Sequence, residues 1–525
     1  MTKGYLAVIL HAHLPFVRHP EHEESLEENW FYEAITETYL PLLLMMDRLI
    51  DEGVGFRLTF SVTPTLASML SDPFLQDRYL GRLESLIELG KREKVRTGSQ
   101  PRFQSLAGMY LKHLRNMKEA FINRYDRDLP GAFRRIQDLG MIDVIGSSAT
   151  HAYLPLHLGT PSAVRAQIRL GVESYRRSFG RSPRGFWLPE CGYYPGAGDL
   201  LAEEGVRYTI LETHGITRAQ PRPRYGIHAP LYSPSGMAFF GRDPDSSRQV
   251  WSSGEGYPGD FDYREFYRDI AYDLEMDYIG PFIHRDGIRI DTGFKYYRIT
   301  GKTDRKEVYI PERAAEKADL HARDFLSKKE RQVMSLTAAM DRKPLVVAPY
   351  DAELFGHWWF EGPLWLESLI RHAAARRDLR LITPSEYLQE YPVNQVASPS
   401  SSSWGHRGFS ETWLNTRNDW IYRHLNQAAV TMERLAAVHP QAEGLRLRAL
   451  NQAARELLLA QASDWAFIMN AGTTVEYAVM RTKTHLQRFM TLTDQIEKGR
   501  INSRKLKEME SQDNIFPEMD YRVFA

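Results

Sequence analysis

The sequence predicts an α/β chain: a (β/α)7 barrel with an inserted helical and loop subdomain, followed by an all-helical C-terminal domain. Three observations carry this. Short apolar runs recur at 5–10 (YLAVIL), 57–62 (RLTFSV), 142–146 (IDVIG), 185–188 (GFWL), 207–211 (RYTIL), 345–349 (LVVAP) and 379–383 (LRLIT). They are β-branched or aromatic and apolar on consecutive positions, the pattern of strands covered on both faces. Helical spacings such as Leu106, Tyr110, Leu114, Met117 and Phe121 lie between most of them, and strands alternating with helices argue for parallel βα units. Beyond residue 404 the runs stop and only helical patterns remain. Seven strands with no sign of a second sheet favour a closed or nearly closed barrel over an open doubly wound sheet.

Along the chain, 1–398 reads as the catalytic barrel, with insertions at about 65–135 (helical and charged) and 220–330 (rich in Pro, Gly, Asp, Tyr and Arg). A long irregular insertion in a compact domain is usually a lid or binding loop. The Ser/Pro-rich stretch NQVASPSSSSWG, 394–405, marks a boundary. In 404–525, Leu447, Leu450, Ala454, Leu457 and Leu458 form one amphipathic face and Val475, Val479, Leu486 and Phe489 another. The charged tail SRKLKEMESQDN is expected to fray.

Lys+Arg and Asp+Glu both number 67, so the chain has no global attraction for nucleic acid or an anionic membrane. The N-terminal apolar stretch, Tyr5 to Leu10, is shorter than a signal-peptide core, and no window approaches a membrane span. One cysteine, Cys191, permits no internal disulfide and fits a reducing cytoplasm. It reads as a small packed thiol rather than a nucleophile. Aromatic content of 12% favours ligands with flat apolar faces, such as sugars or bases. Oligomeric state is left at monomer or small homo-oligomer.

In a parallel barrel the chemistry sits at the C-terminal ends of the strands. There the seven runs finish in His11 and His13; Thr63; Ser147, Ser148, Thr150 and His151; Glu190; Glu212, Thr213 and His214; Asp351; and Thr383, Ser385 and Glu386. Glu190 and Asp351 stand out, each beside a proline and flanked by aromatics (Trp187, Tyr193, Tyr350, Trp358, Trp359). Paired carboxylates flanking a scissile bond cleave glycosidic links, and aromatic walls both stack on sugars and desolvate the acid so that its pKa rises. One of the two as a merely structural strand-end carboxylate is the alternative. His11, His13, His151 and His214 with an aspartate also admit a zinc site, though hydrogen bonding to substrate is the favoured role. No P-loop, HExxH, CxxC or nucleophile elbow occurs.

Taken together, HAHLPF (11–16), GSSATHAYLPL (146–156), GFWLPECGYYPG (185–196), PYDAELFGHWWFEGP (349–363) and SSWGHRGFSETWLN (402–415) resemble the five ordered motifs of glycoside hydrolase family 57, nearest to its branching members. The resemblance spans the chain and implies a (β/α)7 barrel with a helical C-terminal domain. It implies Glu190 as nucleophile and Asp351 as acid/base. His11 and His151 would line the donor site, His13 is a further substrate-binding candidate, and Trp30, Trp404 and Trp413 would stack on glucan. No cofactor and no metal are implied. The implied activity is 1,4-α-glucan branching, a retaining transfer to a glucan 6-hydroxyl on amylose or glycogen. A hydrolytic α-amylase or 4-α-glucanotransferase is the alternative, and a metal-dependent polysaccharide deacetylase a remote one. Branching members use a loop tyrosine to shield the intermediate; the matching loop falls in 225–258, with Tyr232 the candidate.

Overall fold

The computed structural model describes residues 2–251 and 254–525. Ten strands run β1 (Gly4–Ala12), β2 (Leu58–Val62), β3 (Ile142–Ser147), β4 (Gly185–Trp187), β5 (Tyr208–Leu211), β6 (Leu231–Tyr232), β7 (Ala238–Gly241), β8 (Leu345–Asp351), β9 (Leu379–Leu381) and β10 (Gln395–Val396). The continuous order is β10-β6-β7-β5-β4-β3-β2-β1-β8. Every pairing in it is parallel except β6 with β7.

Seven of these strands form the barrel: β1, β2, β3, β4, β5, β7 and β8. The ring closes from β7 to β8, where Asp243 N donates to Val347 O at 2.8 Å, with Leu345 N donating to His228 O at 2.9 Å below it. The count of seven matches the expectation, but one member differs. The run 379–383 stands outside the ring, because β9 pairs only with Gly4–Leu6 of β1. Its place is taken by β7, which lies inside the stretch expected to be irregular. Thr383, Ser385 and Glu386 therefore do not reach the mouth. Thr383 and Glu386 form a capping box on the helix Pro384–Glu390, and Glu386 binds Arg57 at 2.7 Å, just before β2 begins.

Every position of β1 is buried, as a strand covered on both faces requires. Period-two alternation sorts its side chains. Tyr5, Ala7 and Ile9 join Trp187, Tyr208, Phe240, Leu345 and Val347 in the barrel interior, whereas Leu6, Val8 and Leu10 pack against the helical shell. Continuing the inward columns, by two residues from Ile9 and by four from Val347 through Pro349, puts His11 at the top of β1 and Asp351 at the top of β8, and these two are register partners.

The insertions are more ordered than expected. Residues 64–138 are helical, the longest helix being Pro73–Arg96. The irregular stretch ends at Ile310, where the helix Pro311–Thr337 begins and returns the chain to β8. The C-terminal part consists of helices Trp420–Val438, Gly444–Ala460, Ser463–Ala471, Val475–Glu497 and Ser503–Gln512. Its tail is not frayed. Asn502 caps Ser503–Gln512, and Phe516, Met519, Tyr521 and Phe524 are buried. Arg455 donates to the carbonyls of Ile515 and Phe516, and buried Asp513 pairs with Arg488. Among the described residues no helix is long and apolar enough to cross a membrane.

Candidate active site

A cleft of about 510 Å³ opens at the C-terminal ends of the strands. It is lined by His11, His13, His151, Glu190, Asp351, Trp358, Trp404 and Trp413, which the sequence singled out, and by Arg242, Glu353 and Asp464, which it did not. Trp30 and Tyr232 are not among its walls. Trp30 packs edge-on against Tyr477 with ring centroids 5.9 Å apart. Tyr232 is a correction: it lies in β6 opposite Ala238, the first residue of β7, at the end of the barrel away from the cleft. The helix Pro244–Trp251 instead brings Trp251 to the cleft; Ser252 and Ser253 of the expected loop lie outside the described residues.

Glu190 follows β4 in a turn with left-handed backbone, φ 62 for Glu190 and φ 50 for Cys191. Such strain at a non-glycine residue persists only where its surroundings enforce it. Here Trp404 N donates to Glu190 O at 3.0 Å, and the Trp404 indole Nε1 donates to Glu190 Oε2 at 2.8 Å. The boundary segment 394–405 is thus no free linker, being stitched to the barrel through Gln220–Ser398 and Tyr193–Ser402 bridges. Cys191 is fully buried, and burial pushes its thiol well up, which suits packing and not nucleophilic attack.

The second oxygen, Glu190 Oε1, accepts from Ser463 Oγ at 2.8 Å. Ser463 opens a helix of the C-terminal part, which docks on the barrel through Ser463 N donating to His151 O at 3.0 Å. Further contacts fix a directed chain: Ser463 Oγ to His151 Nδ1 at 2.9 Å, His151 Nε2 to His11 Nε2 at 3.0 Å, and His11 Nδ1 to Ser61 Oγ at 3.1 Å. Burial, and then the charge of His13, push both His11 and His151 well below the usual imidazole range, so each carries one proton. An ionised carboxylate only accepts. Ser463 must then accept from His151 Nδ1–H, His151 Nε2 from His11 Nε2–H, and His11 Nδ1 from Ser61. Every donor in the series points toward Glu190.

His13 is different. Burial opposes its charge, but the Asp464 carboxylate, 3.0 Å from Nε2, outweighs it and raises the imidazole. His13, His151 and Asp464 bring ligand atoms within 4.8 Å of one another, a grouping compatible with a metal. His214 takes no part in it, holding Gly408 O at 2.6 Å instead.

Burial pushes Glu190 up to about 7 against the hydrogen bonds from Trp404 and Ser463. Burial, then the Glu353 carboxylate, push Asp351 up to about 7, with Arg242 and His13 pulling the other way. The two differ in donors. Among the described residues none donates a hydrogen bond to the Asp351 side chain, whereas Glu190 accepts two, which favour its charged form. One carboxylate and one carboxylic acid on a single cleft are the equipment for cleaving a glycosidic bond. Glu353 itself is held by the His13 amide at 3.1 Å and by the Tyr39 hydroxyl. Trp413 is 1% exposed, its ring stacked on Tyr153 at 4.4 Å. It is a packed wall of the cleft and not the open platform expected.

Sequence reasoning missed Ser463, Asp464, Arg242 and Glu353. Glu353 sits within the fourth motif, two residues past Asp351. The others become visible only when distant segments meet.

The description "Glycosyl hydrolase family 57" matches residues 7–342, and "1,4-alpha-glucan branching enzyme, C-terminal" matches residues 424–524. The chain is 34% identical to a 1,4-alpha-glucan branching enzyme of Thermococcus kodakarensis, over 98% of this chain and 77% of that one. It superposes on a solved GH57-type branching enzyme of Pyrococcus horikoshii with TM-score 0.90 and 33% identity, covering 100% of this chain and 97% of that one. It also superposes on a solved structure described as a novel alpha-amylase of Thermotoga maritima, with TM-score 0.94 and 46% identity over 99% of each. With more than half of its length matched by the family and its whole fold superposing on such relatives, the chain belongs to glycosyl hydrolase family 57.

Proposed function

We propose that the protein is a 1,4-α-glucan branching enzyme acting by retaining double displacement. Glu190 attacks the anomeric carbon and holds a glucosyl ester. Asp351 protonates the leaving oxygen and then takes the proton of an incoming glucan 6-hydroxyl. His11, His13 and His151 line the donor site, and Trp404 stacks on glucan. The observation that carries the reading is the seat of Glu190. Its carboxylate is held by Ser463, just past a helix belonging to the part that the branching-enzyme C-terminal description matches. The helical domain is then a component of the site and not an appendage. We divide the chain accordingly into the barrel, 1–398, and the helical domain, 404–525. The product is placed in glycogen and the work in the cytoplasm, where a lone buried cysteine is at ease.

Hydrolysis is the second reading, favoured by the 46% identity to a protein described as an α-amylase. Both reactions share the ester on Glu190 and differ in what attacks it. Incubating the protein with amylose and then debranching separates them. New short chains released by the debranching enzyme support branching. Accumulating reducing ends without such chains would replace it by the amylase reading.

A further inference from the structure

Behind Trp404 lies a second chamber of about 400 Å³, within the size range of small-ligand pockets. It shares Arg242, Trp251, Trp404 and Gly405 with the cleft. We propose that this chamber binds the acceptor, the α-glucan chain whose hydroxyl attacks the glucosyl ester; the inference rests on the transfer chemistry proposed above. A transferring enzyme must hold two chains at once, and the donor occupies the cleft. The Trp404 indole lines both chambers, and its Nε1 is 2.8 Å from Glu190 Oε2.

The chamber is shaped and polar. Arg242 is fixed by Glu212 at 2.9 Å and Ser247 at 2.7 Å, and its guanidinium lies 5.4 Å over the Trp404 ring. The floor turns sharply through Arg407 (φ 62) and Gly408 (φ 82), with His214 closing on Gly408 so tightly that a Cβ there would lie 2.5 Å from its ring. Arg407 and Arg248 stand exposed on the walls. Among the described residues Arg407 pairs with no carboxylate. Planar donors, a carboxylate and an indole face are what vicinal sugar hydroxyls and C–H faces require. In the transfer step the acceptor oxygen bonds to the anomeric carbon, the ester bond to Glu190 breaks with its electrons returning to the carboxylate, and the hydroxyl proton passes to Asp351.

The test uses the full chain with maltoheptaose as donor and end-labelled maltotetraose as acceptor. Rates of label transfer and of reducing-end release are followed as acceptor concentration is raised. In Arg407→Ala the half-saturating acceptor concentration should rise about tenfold, the loss of one charge-assisted hydrogen bond, and partition should shift toward water. An unchanged acceptor dependence in both Arg407→Ala and Arg248→Ala overturns the proposal. Should Arg407→Ala lower the melting temperature sharply, Arg248→Ala decides alone. Debranching the labelled product keeps the two claims apart. Transfer by α-1,4 bonds only removes the branching reading and leaves the chamber to the variants, whereas no labelled product from the unaltered enzyme overturns both.

Discussion

At the residue scale, the central fact is that two buried carboxyls of similar affinity for protons have different neighbours. Trp404 and Ser463 stabilise the charged form of Glu190. The Glu353 charge favours the neutral form of Asp351. A bell-shaped dependence of kcat/KM on pH should follow, with both limbs near neutrality, since both groups are pushed up to about 7. The signs of two perturbations are fixed. Ser463→Ala removes a donor to the carboxylate, raises the Glu190 pKa and moves the acidic limb to higher pH. Glu353→Gln removes a like charge, lowers the Asp351 pKa and moves the alkaline limb to lower pH. Initial-rate profiles on amylose measure both; limbs that stay put in both variants would show that these neighbours do not set the two protons. Glu190→Gln and Asp351→Asn should each lower kcat by orders of magnitude with folding intact, checked by turnover beside a melting curve.

At the element scale, the loop after β8 is held from an unusual direction. A π-helical turn, Ile35–Tyr39, carries Glu37 and Tyr39 on its face toward the loop. Glu37 pairs with His357 Nδ1 at 2.8 Å, and the Tyr39 hydroxyl reaches Glu353; π-turns of this kind often mark functional positions. The loop passes so close that a Cβ at Gly356, whose φ is +119, would lie 1.7 Å from Glu37 O. Gly356→Ala must shift one backbone or the other, so it should lower the melting temperature by several degrees and kcat with it. A variant with unaltered melting and turnover would show the loop to be free of the turn. Trp413→Ala should act on stability first, about 3–5 kcal/mol for a buried indole, and on glucan affinity second. Such details explain what was legible. Continuous apolar runs ending in His, Glu and Asp announce strands and a mouth, and inward alternation alone carries Tyr5, Ala7 and Ile9 on to His11. β7 was hidden because AFFG is only four residues inside a Pro/Gly-rich stretch, too short for a periodicity. Ser463 and Asp464 were hidden because nothing local marks a helix start that meets a strand end 273 residues away.

At the scale of the whole molecule, catalysis and stability pull against each other. Glu190 and Asp351 are ordinary carboxylates in the unfolded chain, near 4.5 and 3.8, and near 7 when folded. A group whose pKa is raised by folding contributes stability that is fully present below its unfolded value and lost as pH rises through its folded value. The window is therefore from about pH 4 to pH 8, at up to about 1.4 kcal/mol per pH unit for each group that titrates. The two groups repel, so their effects are not simply additive. The helical part shares in this, because Ser463 and Asp464 tie its docking to the charge of the cleft. Glu190→Gln deletes one raised group; its amide oxygen can still accept from Trp404 Nε1, while its NH2 donates to Ser463 Oγ in place of the bond that Ser463 gives the carboxylate. Its melting temperature should match that of the unaltered protein near pH 5 and exceed it at pH 8. Scanning calorimetry across that range measures the difference. Parallel curves for the two proteins would mean that Glu190 is charged in the folded state at no cost, and that hydrogen bonds, not burial, govern its proton.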